Sequence, residues 1–574
     1  MANKLELTWY GKDEPIRVEP RLLIENAALS NTAADPDTEN MIIHGDNLLA
    51  LKALEPRFTG QVKCIYIDPP YNTGSAFEHY DDNLEHSIWL DLMYERIKIL
   101  YRLLSENGCL WISIDNTEGH YLKVICDEIF TRKNFVADIT YEKSNVSGLG
   151  QGGAIVNTGE KLLVYKKGNL VFNEVLGTER LALKTMKRYS KMLLETGDKI
   201  LVEEFPAPSN GKPVKVFKHS NYRVESVSLR DFSKRENEIR QQFYNHFDQM
   251  FRTYVIQQEN EFQNALMDKM EKGTLYSVEY TPNRGKNKDK YTTLYYYNAE
   301  LCAWLSDTAF IENGDIVKTT RLSNVWKNDD IPKADLGNEG GVTFQRSKKP
   351  EKLIERILLL STNPGDLVLD SFLGSGTTAA VAHKMGRKYI GVEMGEHAYS
   401  HCKMRLDRVI SGSDQSGVSK NYSWHGGGGY RFFELAPSLI NRDPFDEYVI
   451  NEEYDADMLA AAVALHEGFR YQPDDSLFWK QSVGNEKSYL FVTTRHLNST
   501  YLDSIKDTME DGEYLIIACR SFDSGLDKAY SKITIKKIPQ MLLSRCEFGK
   551  ADYNLNIVHP PVYDYEWDEE DCDE

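Results

Sequence analysis

The chain has 574 residues, too many for one ordinary hydrophobic core, so a large domain with insertions or a second domain is expected. Hydrophobic residues at 41% and charged residues at 27% describe a soluble globular protein, and no apolar run nears the roughly 18 residues of a membrane span. The net charge of -19 speaks against a polyanionic partner only globally: eight acids crowd into residues 563–574, while residues 166–300 hold a basic excess of about five. The start, Met1-Ala2-Asn3-Lys4, is polar and lacks a secretory core, and the eight cysteines form no C-x-x-C pair. Buried, reduced thiols in a cytoplasmic protein is the corresponding expectation.

In chain order, Val62–Ile67 is an apolar run that stops at two prolines, as a buried strand does. Apolar residues recur at helical spacing over 88–104 and stop before Asn107-Gly108. Cys109–Ile114 is the next strand, and Tyr121–Phe130 the next helix. Strand-helix alternation of this kind implies a parallel sheet covered on both faces. The alternation lapses from 166 to 325, a polar, tyrosine-rich stretch. There the spacing predicts a long helix from Asp231 to Lys272, with Phe243, Phe247, Phe251 and Tyr254 as a stripe suited to core packing or to base stacking. Tyr280–Lys288 reads as a basic loop, either a solvated turn or a phosphate contact. Alternation returns with a helix at Lys352–Leu360, a strand at Leu367–Leu369, a helix at Thr378–Met385 and a strand at Tyr389–Val392. Ser411–Gly417 reads as a linker and Gly426–Gly429 as a flexible stop. Beyond it, strands near Ser488–Val492 and Glu513–Ala518 suggest a small α/β or α+β domain. The domain expectation is therefore 1–165, 166–325, 326–415 and 425–574.

Two motifs carry chemistry. In Leu369-Asp370-Ser371-Phe372-Leu373-Gly374-Ser375-Gly376-Thr377-Thr378, an acid ends a strand, two glycines allow a tight turn against a ligand, and the threonines open a helix. Nineteen residues past Gly374, Glu393 ends the next strand, where a Rossmann-type sheet holds ribose hydroxyls. The absence of G-x-G-x-x-G spacing disfavours a dinucleotide and leaves a nucleoside ligand. In Ile67-Asp68-Pro69-Pro70-Tyr71, the prolines stiffen the turn and remove two donors, leaving the Asp68 carboxylate and the Pro69 carbonyl as acceptors. Paired acceptors suit an exocyclic amine, which has two hydrogens to give. Tyr71 offers a ring on which an extruded base can stack. A Pro-Pro turn with a capping Asp is the plainer alternative for this tetrapeptide alone.

Together, in this order, the two motifs resemble the β group of DNA amino-methyltransferases, whose catalytic motif precedes the cofactor motif. The stretches Ile67–Gly74, His86-Ser87-Ile88-Trp89-Leu90, Met93-Tyr94-Glu95-Arg96, Ile112-Ser113-Ile114-Asp115 and His44–Leu51 are similar to the modification subunits of type III restriction-modification systems. The resemblance covers 40–165 and 320–410. It implies a Rossmann-like methyltransferase sheet in circularly permuted order, with an inserted target-recognition domain at 166–320. It implies S-adenosylmethionine as cofactor, held by Asp46, Asp370, Phe372, Gly374, Gly376, Thr377 and Glu393, with Asp46 accepting from the adenine amino group and Phe372 packing on the cofactor. Lys348-Lys349-Pro350 would lead into the cofactor half. Asp68, Pro69, Pro70 and Tyr71 would be catalytic, and no metal or cysteine nucleophile is needed. The implied reaction methylates adenine N6 in double-stranded DNA, with cytosine N4 as the alternative. Implied partners are a second copy of the chain and a restriction (nuclease/helicase) subunit, so a DNA-reading subunit that places a nuclease is a further reading. One departure stands out: Thr158-Gly159-Glu160 replaces the Asn/Ser-His-Glu that precedes the family's Leu-Val-Tyr strand.

Overall fold

The computed structural model describes residues 6–13, 16–72, 86–143, 157–207, 210–255, 261–283, 287–312, 314–331, 339–344 and 348–550. The acidic stretch 563–574, Thr73-Gly74 and the Arg284-Gly285-Lys286 part of the basic loop lie outside these residues. The chain divides into two compact units, 1–174 with 323–574, and 175–322.

The first unit is built on one large sheet. Its strands are β1 (Leu23–Glu25), β2 (Met41–His44), β3 (Val62–Ile67), β4 (Leu104–Ile114), β5 (Phe135–Glu142), β6 (Gly159–Lys166), β7 (Val325–Trp326), β8 (Leu367–Asp370), β9 (Lys388–Glu393) and β10 (Arg431–Leu435). They lie in the order β1-β10-β2-β9-β8-β3-β4-β6-β5-β7. The run from β10 to β4 is parallel throughout, whereas β6 is antiparallel to both β4 and β5. Side chains alternate across the sheet with period two. Ile65, Ile67, Leu110, Ile112 and Leu369 pack under α1 (Asn47–Phe58), α2 (His86–Leu103) and α3 (Gly119–Phe130). Cys64, Tyr66, Cys109, Trp111 and Val368 pack on the other face, against α4 (Glu351–Ser361) and α5 (Thr377–Lys384). Helices from the early half of the sequence thus cover one face and those from the late half the other. The halves meet where β3 pairs with β8, Cys64 opposite Val368 and Ile65 opposite Leu369. That is the topological switch point of a doubly wound sheet, where ligands bind outside the carboxyl ends of the strands.

Residues 411–429 are not the flexible linker and stop that their composition suggests. Asp414 is buried and its carboxylate pairs with Lys384 at 2.7 Å. A Cβ on Gly412 (φ +73°) would lie 2.4 Å from the His425 carbonyl oxygen, and one on Gly428 (φ +77°) 2.6 Å from His383 Nε2. The glycines serve close packing, and they deliver β10 into the sheet beside β2. A five-stranded sheet follows, with Ser488–Leu497, Tyr514–Phe522 and Ile533–Lys537 parallel, and helices at Ala456–Glu467 and Ser499–Lys506. The seven cysteines among the described residues are free and buried. No helix among those residues is long and apolar enough to cross a membrane.

The unit at 175–322 holds an eight-stranded antiparallel sheet and a smaller three-stranded one. The expected long helix is shorter here: it spans Phe232–Asn245, a strand follows at Met250–Tyr254, and helix resumes at Glu261–Met267. The stripe misled because a spacing of four fits both periods, placing 243, 247 and 251 on one face of a helix or of a strand. Phe243 is core in the helix. Phe251 is core in the strand, its ring 5.7 Å from that of Trp304.

The packing of 411–429 is testable. Alanine at Gly412 or at Gly386 (φ +70°, nothing within 4 Å of a Cβ) incurs the left-handed penalty of roughly 1 kcal/mol. Collision with a backbone oxygen at Gly412 adds about 1–3 kcal/mol. Gly412→Ala is expected to melt below Gly386→Ala in scanning calorimetry; equal melting temperatures would show that the segment yields.

Candidate active site

Parallel strands bring four acids to one edge of the sheet. Asp46 follows β2, Glu393 ends β9, Asp370 ends β8 and Asp68 follows β3, in the spatial order of those strands. Beside them opens a cleft. Asp68, Pro69, Pro70, Tyr71, Asp370, Phe372, Gly374 and Thr377 all line it, so turns some three hundred residues apart in sequence share one cavity. Asp46, Gly376 and Glu393 do not line it. Asp46 caps α1, its Oδ1 accepting from Leu48 N at 2.9 Å and Leu49 N at 3.0 Å, while Oδ2 faces Arg96 at 3.3 Å. Glu393 braces the glycine turn: Oε2 accepts from Gly374 N at 2.7 Å, and Oε1 lies 2.7 Å from His397 Nε2. Gly376 (φ +78°) opens α5, where a Cβ would lie 3.2 Å from Cys402 Cα.

Asp370 is buried, and its oxygens accept from Phe372 N at 2.9 Å and Thr378 Oγ1 at 2.6 Å. Burial, helped by the nearby charges of Asp68 and Glu393, raises its carboxyl to about 7 against the pull of those donors.

The Asp-Pro-Pro-Tyr turn is held by a lysine that the motif alone does not reveal. Lys349 Nζ reaches Asp68 Oδ1 at 3.0 Å, Glu160 Oε2 at 3.0 Å and Tyr71 Oη at 2.7 Å, which uses all three ammonium hydrogens. Tyr71 Oη donates in turn to Asp68 Oδ1 at 2.9 Å. Lys143 Nζ lies 2.9 Å from Glu160 Oε1, so two acids and two bases alternate. Burial pushes the Asp68 carboxyl up, with Lys349 opposing. Burial also works against Glu160, but Lys349 and Lys143 outweigh it and hold that carboxyl at about 2. Both contacts of Asp68 fall on Oδ1, so Oδ2 has no partner among the described residues. Trp89 Nε1 donates to the Pro70 carbonyl at 2.8 Å, whereas the Pro69 carbonyl accepts from no described donor. Two acceptors on a stiff turn therefore remain for an amine.

Lys349 sits in the Lys-Lys-Pro segment and Glu160 at the departure Thr158-Gly159-Glu160, both visible in sequence. What the sequence lacked was their pairing, made across 189 residues. The signal in each case was a charged residue at the start of an apolar element, Glu160 in β6 and Lys349 just before α4.

A doubly wound sheet with a glycine turn and an Asp-Pro-Pro-Tyr turn flanking its switch point defines a Rossmann-like α/β domain of methyltransferase type. The chain belongs to the DNA methylase family, whose model matches residues 62–404. It is 36% identical over 419 residues to the probable type III restriction-modification enzyme HindVI Mod subunit of Haemophilus influenzae, covering 70% of this chain and 54% of that protein. It is 26% identical over 427 residues to the type III restriction-modification enzyme EcoPI Mod subunit of Escherichia phage P1, covering 67% and 62%. With the DNA adenine methyltransferase YhdJ of Escherichia coli it shares 24% identity over 405 residues, 70% of this chain and 95% of that one. The chain thus spans about half to under two thirds of the length of the two Mod subunits.

The pH dependence of Asp370 follows from its burial. Its folded pKa, about 7, lies above the ordinary value of 3.8, so the folded state binds the extra proton between them. Stability conferred by this group falls as pH rises from about 4 to 7, by up to about 4 kcal/mol. Asp370→Asn is expected to flatten that fall, read as urea midpoints at pH 5 and pH 8. An unchanged slope would show that Asp370 is ionised throughout.

Proposed function

We propose that this chain transfers a methyl group from S-adenosylmethionine to the N6 amine of adenine in double-stranded DNA, as the modification subunit of a restriction system. The observation that carries this reading is the shared cleft, with the cofactor-type turn of β8 and the amine-accepting turn of β3 on adjacent strands. The adenine choice draws support from the relative named as a DNA adenine methyltransferase. On this reading residues 175–322 read the target sequence, a second copy and a nuclease subunit assemble with the chain, and the protein works in the cytoplasm.

The residues present suit a sulfonium nucleoside. Phe372, Leu373 and Phe344 give the cleft an apolar wall, and Gly374 (φ +57°) has only the Phe372 carbonyl oxygen, at 3.9 Å, near a Cβ. Glu393 and Asp46, the acids that the resemblance gives to the ribose hydroxyls and the adenine amino group, stand at the same strand edge but outside the cleft lining, where they brace the glycine turn and cap α1. When bound, S-adenosylmethionine supplies an electrophilic methyl group. Everything else falls to the chain. Asp68 Oδ2 and the Pro69 carbonyl each accept one hydrogen of the target amine, which turns its lone pair toward the cofactor half. Tyr71 provides the stacking face that offsets the few kcal/mol of extruding a base. As positive charge grows on the amine, Asp68 stabilises it. Lys349 would oppose it, but its charge is balanced by Asp68 and Glu160 together. The methylated nitrogen then releases its surplus proton along the hydrogen bond to Asp68 Oδ2 and on to water.

The test is nucleoside mass spectrometry of duplex DNA incubated with the protein and methyl-labelled S-adenosylmethionine. The expected product is N6-methyladenine; N4-methylcytosine would move the reading to the other amine, and no label with no cofactor binding would end it. Asp68→Ala is expected to slow transfer on the order of 10³-fold while cofactor binding persists.

A further inference from the structure

One buried acid takes no part in the chemistry above. Glu118 immediately precedes α3 and is 0% exposed, yet its side chain makes no capping hydrogen bond to that helix. Its Oε1 instead accepts from Asn72 Nδ2 at 2.6 Å and lies 2.6 Å from His86 Nδ1. Its Oε2 has no hydrogen-bond partner among the described residues. A carboxylate in that position is expensive to bury, and α3 would form without it.

Its partners say what it holds. Asn72 directly follows Tyr71 and has φ 59°, a left-handed conformation that asparagine tolerates better than most residues. His86 opens α2, and three residues on, Trp89 donates to the Pro70 carbonyl. Helix α2 therefore grips the Asp-Pro-Pro-Tyr turn at two points, directly through Trp89 and, through Glu118, by way of Asn72.

We propose that Glu118 is a positioning residue for methyl transfer: by fixing Asn72 in its left-handed conformation it sets where Asp68, the Pro69 carbonyl and the Tyr71 ring stand. Glu118 does not line the cleft and touches none of the groups assigned to substrate or cofactor. Among the described residues its side chain acts through Asn72 and His86. The inference rests on the methyltransfer reading and goes beyond it in naming the device that aligns the turn. A misplacement of about 1 Å at reacting atoms slows an oriented reaction roughly 10²-fold.

The experiment compares full-length wild type with Glu118→Ala, Asn72→Ala, the double variant and Glu118→Gln. It measures kcat, KM for DNA, the Kd for S-adenosylmethionine by titration calorimetry, and the melting temperature. Each alanine variant is expected to lower kcat by about 10²-fold, with cofactor Kd and the KM for DNA within about twofold. The double variant should be no slower than the slower single one, because both remove one contact. Glu118→Gln keeps an acceptor for Asn72 and should recover most of the rate. Wild-type kcat in either alanine variant overturns the proposal, as do losses that multiply in the double variant or fall equally on cofactor affinity. Should Glu118→Ala fail to fold, Asn72→Ala decides alone. A wild-type chain that transfers no methyl group overturns the functional reading, an outcome distinct from an active Glu118→Ala.

Discussion

Four carboxylates at the ends of four adjoining parallel strands are the constraint on which the rest of this structure depends. Neighbouring strands lie about 4.8 Å apart, and at an effective dielectric of about 20 two charges at that spacing repel by roughly 3 kcal/mol. Each acid is relieved in a different way. Asp46 has two helix N–H groups and Arg96, and Glu393 has the Gly374 and Gly395 N–H groups with His397. Asp370 has a hydroxyl and one N–H group, and its raised pKa shows that they fall short. Asp68 alone has a buried ammonium. The division of labour at the site follows from these differences.

The lysine is what opposes the cost of burying an acid in this cleft. Burial pushes the Asp68 carboxyl up, and the Lys349 ammonium works against that push in favour of the ionised form. Glu160 shares the charge of the lysine with Asp68. Lys143 in turn keeps Glu160 from being a second uncompensated acid. The chain of alternating charges is neutral as a whole while leaving one carboxylate oxygen for chemistry.

Much of this was legible in the sequence, and its limits have physical causes. Strands β3, β8 and β9 and helices α2 to α5 were read within a few residues, because apolar periodicity and proline or glycine stops mark them locally. Asp68, Tyr71, Asp370, Phe372 and Gly374 stand out because two such turns, each following an apolar strand run, occur together in one chain. The Lys349–Glu160 pair was hidden because it joins 160 to 349, a contact that no local pattern encodes. The strand at Met250–Tyr254 was hidden for the opposite reason: its local pattern fits two periods, and only pairing with Glu300–Trp304 selects one. Composition misled at 411–429, where glycine signals crowding as readily as freedom.

The pairing of β3 with β8 also has a consequence for how the molecule comes into being. The centre of the sheet joins strands separated by roughly three hundred residues, so its closure entropy must be met before the contact stabilises anything. On the ribosome, β3 and its rigid turn emerge long before the strand that completes their edge. Until β8 arrives, β3 presents unpaired N–H and C=O groups, an invitation to wrong partners. The permuted order thus exchanges early assembly for a site that closes only when both halves exist.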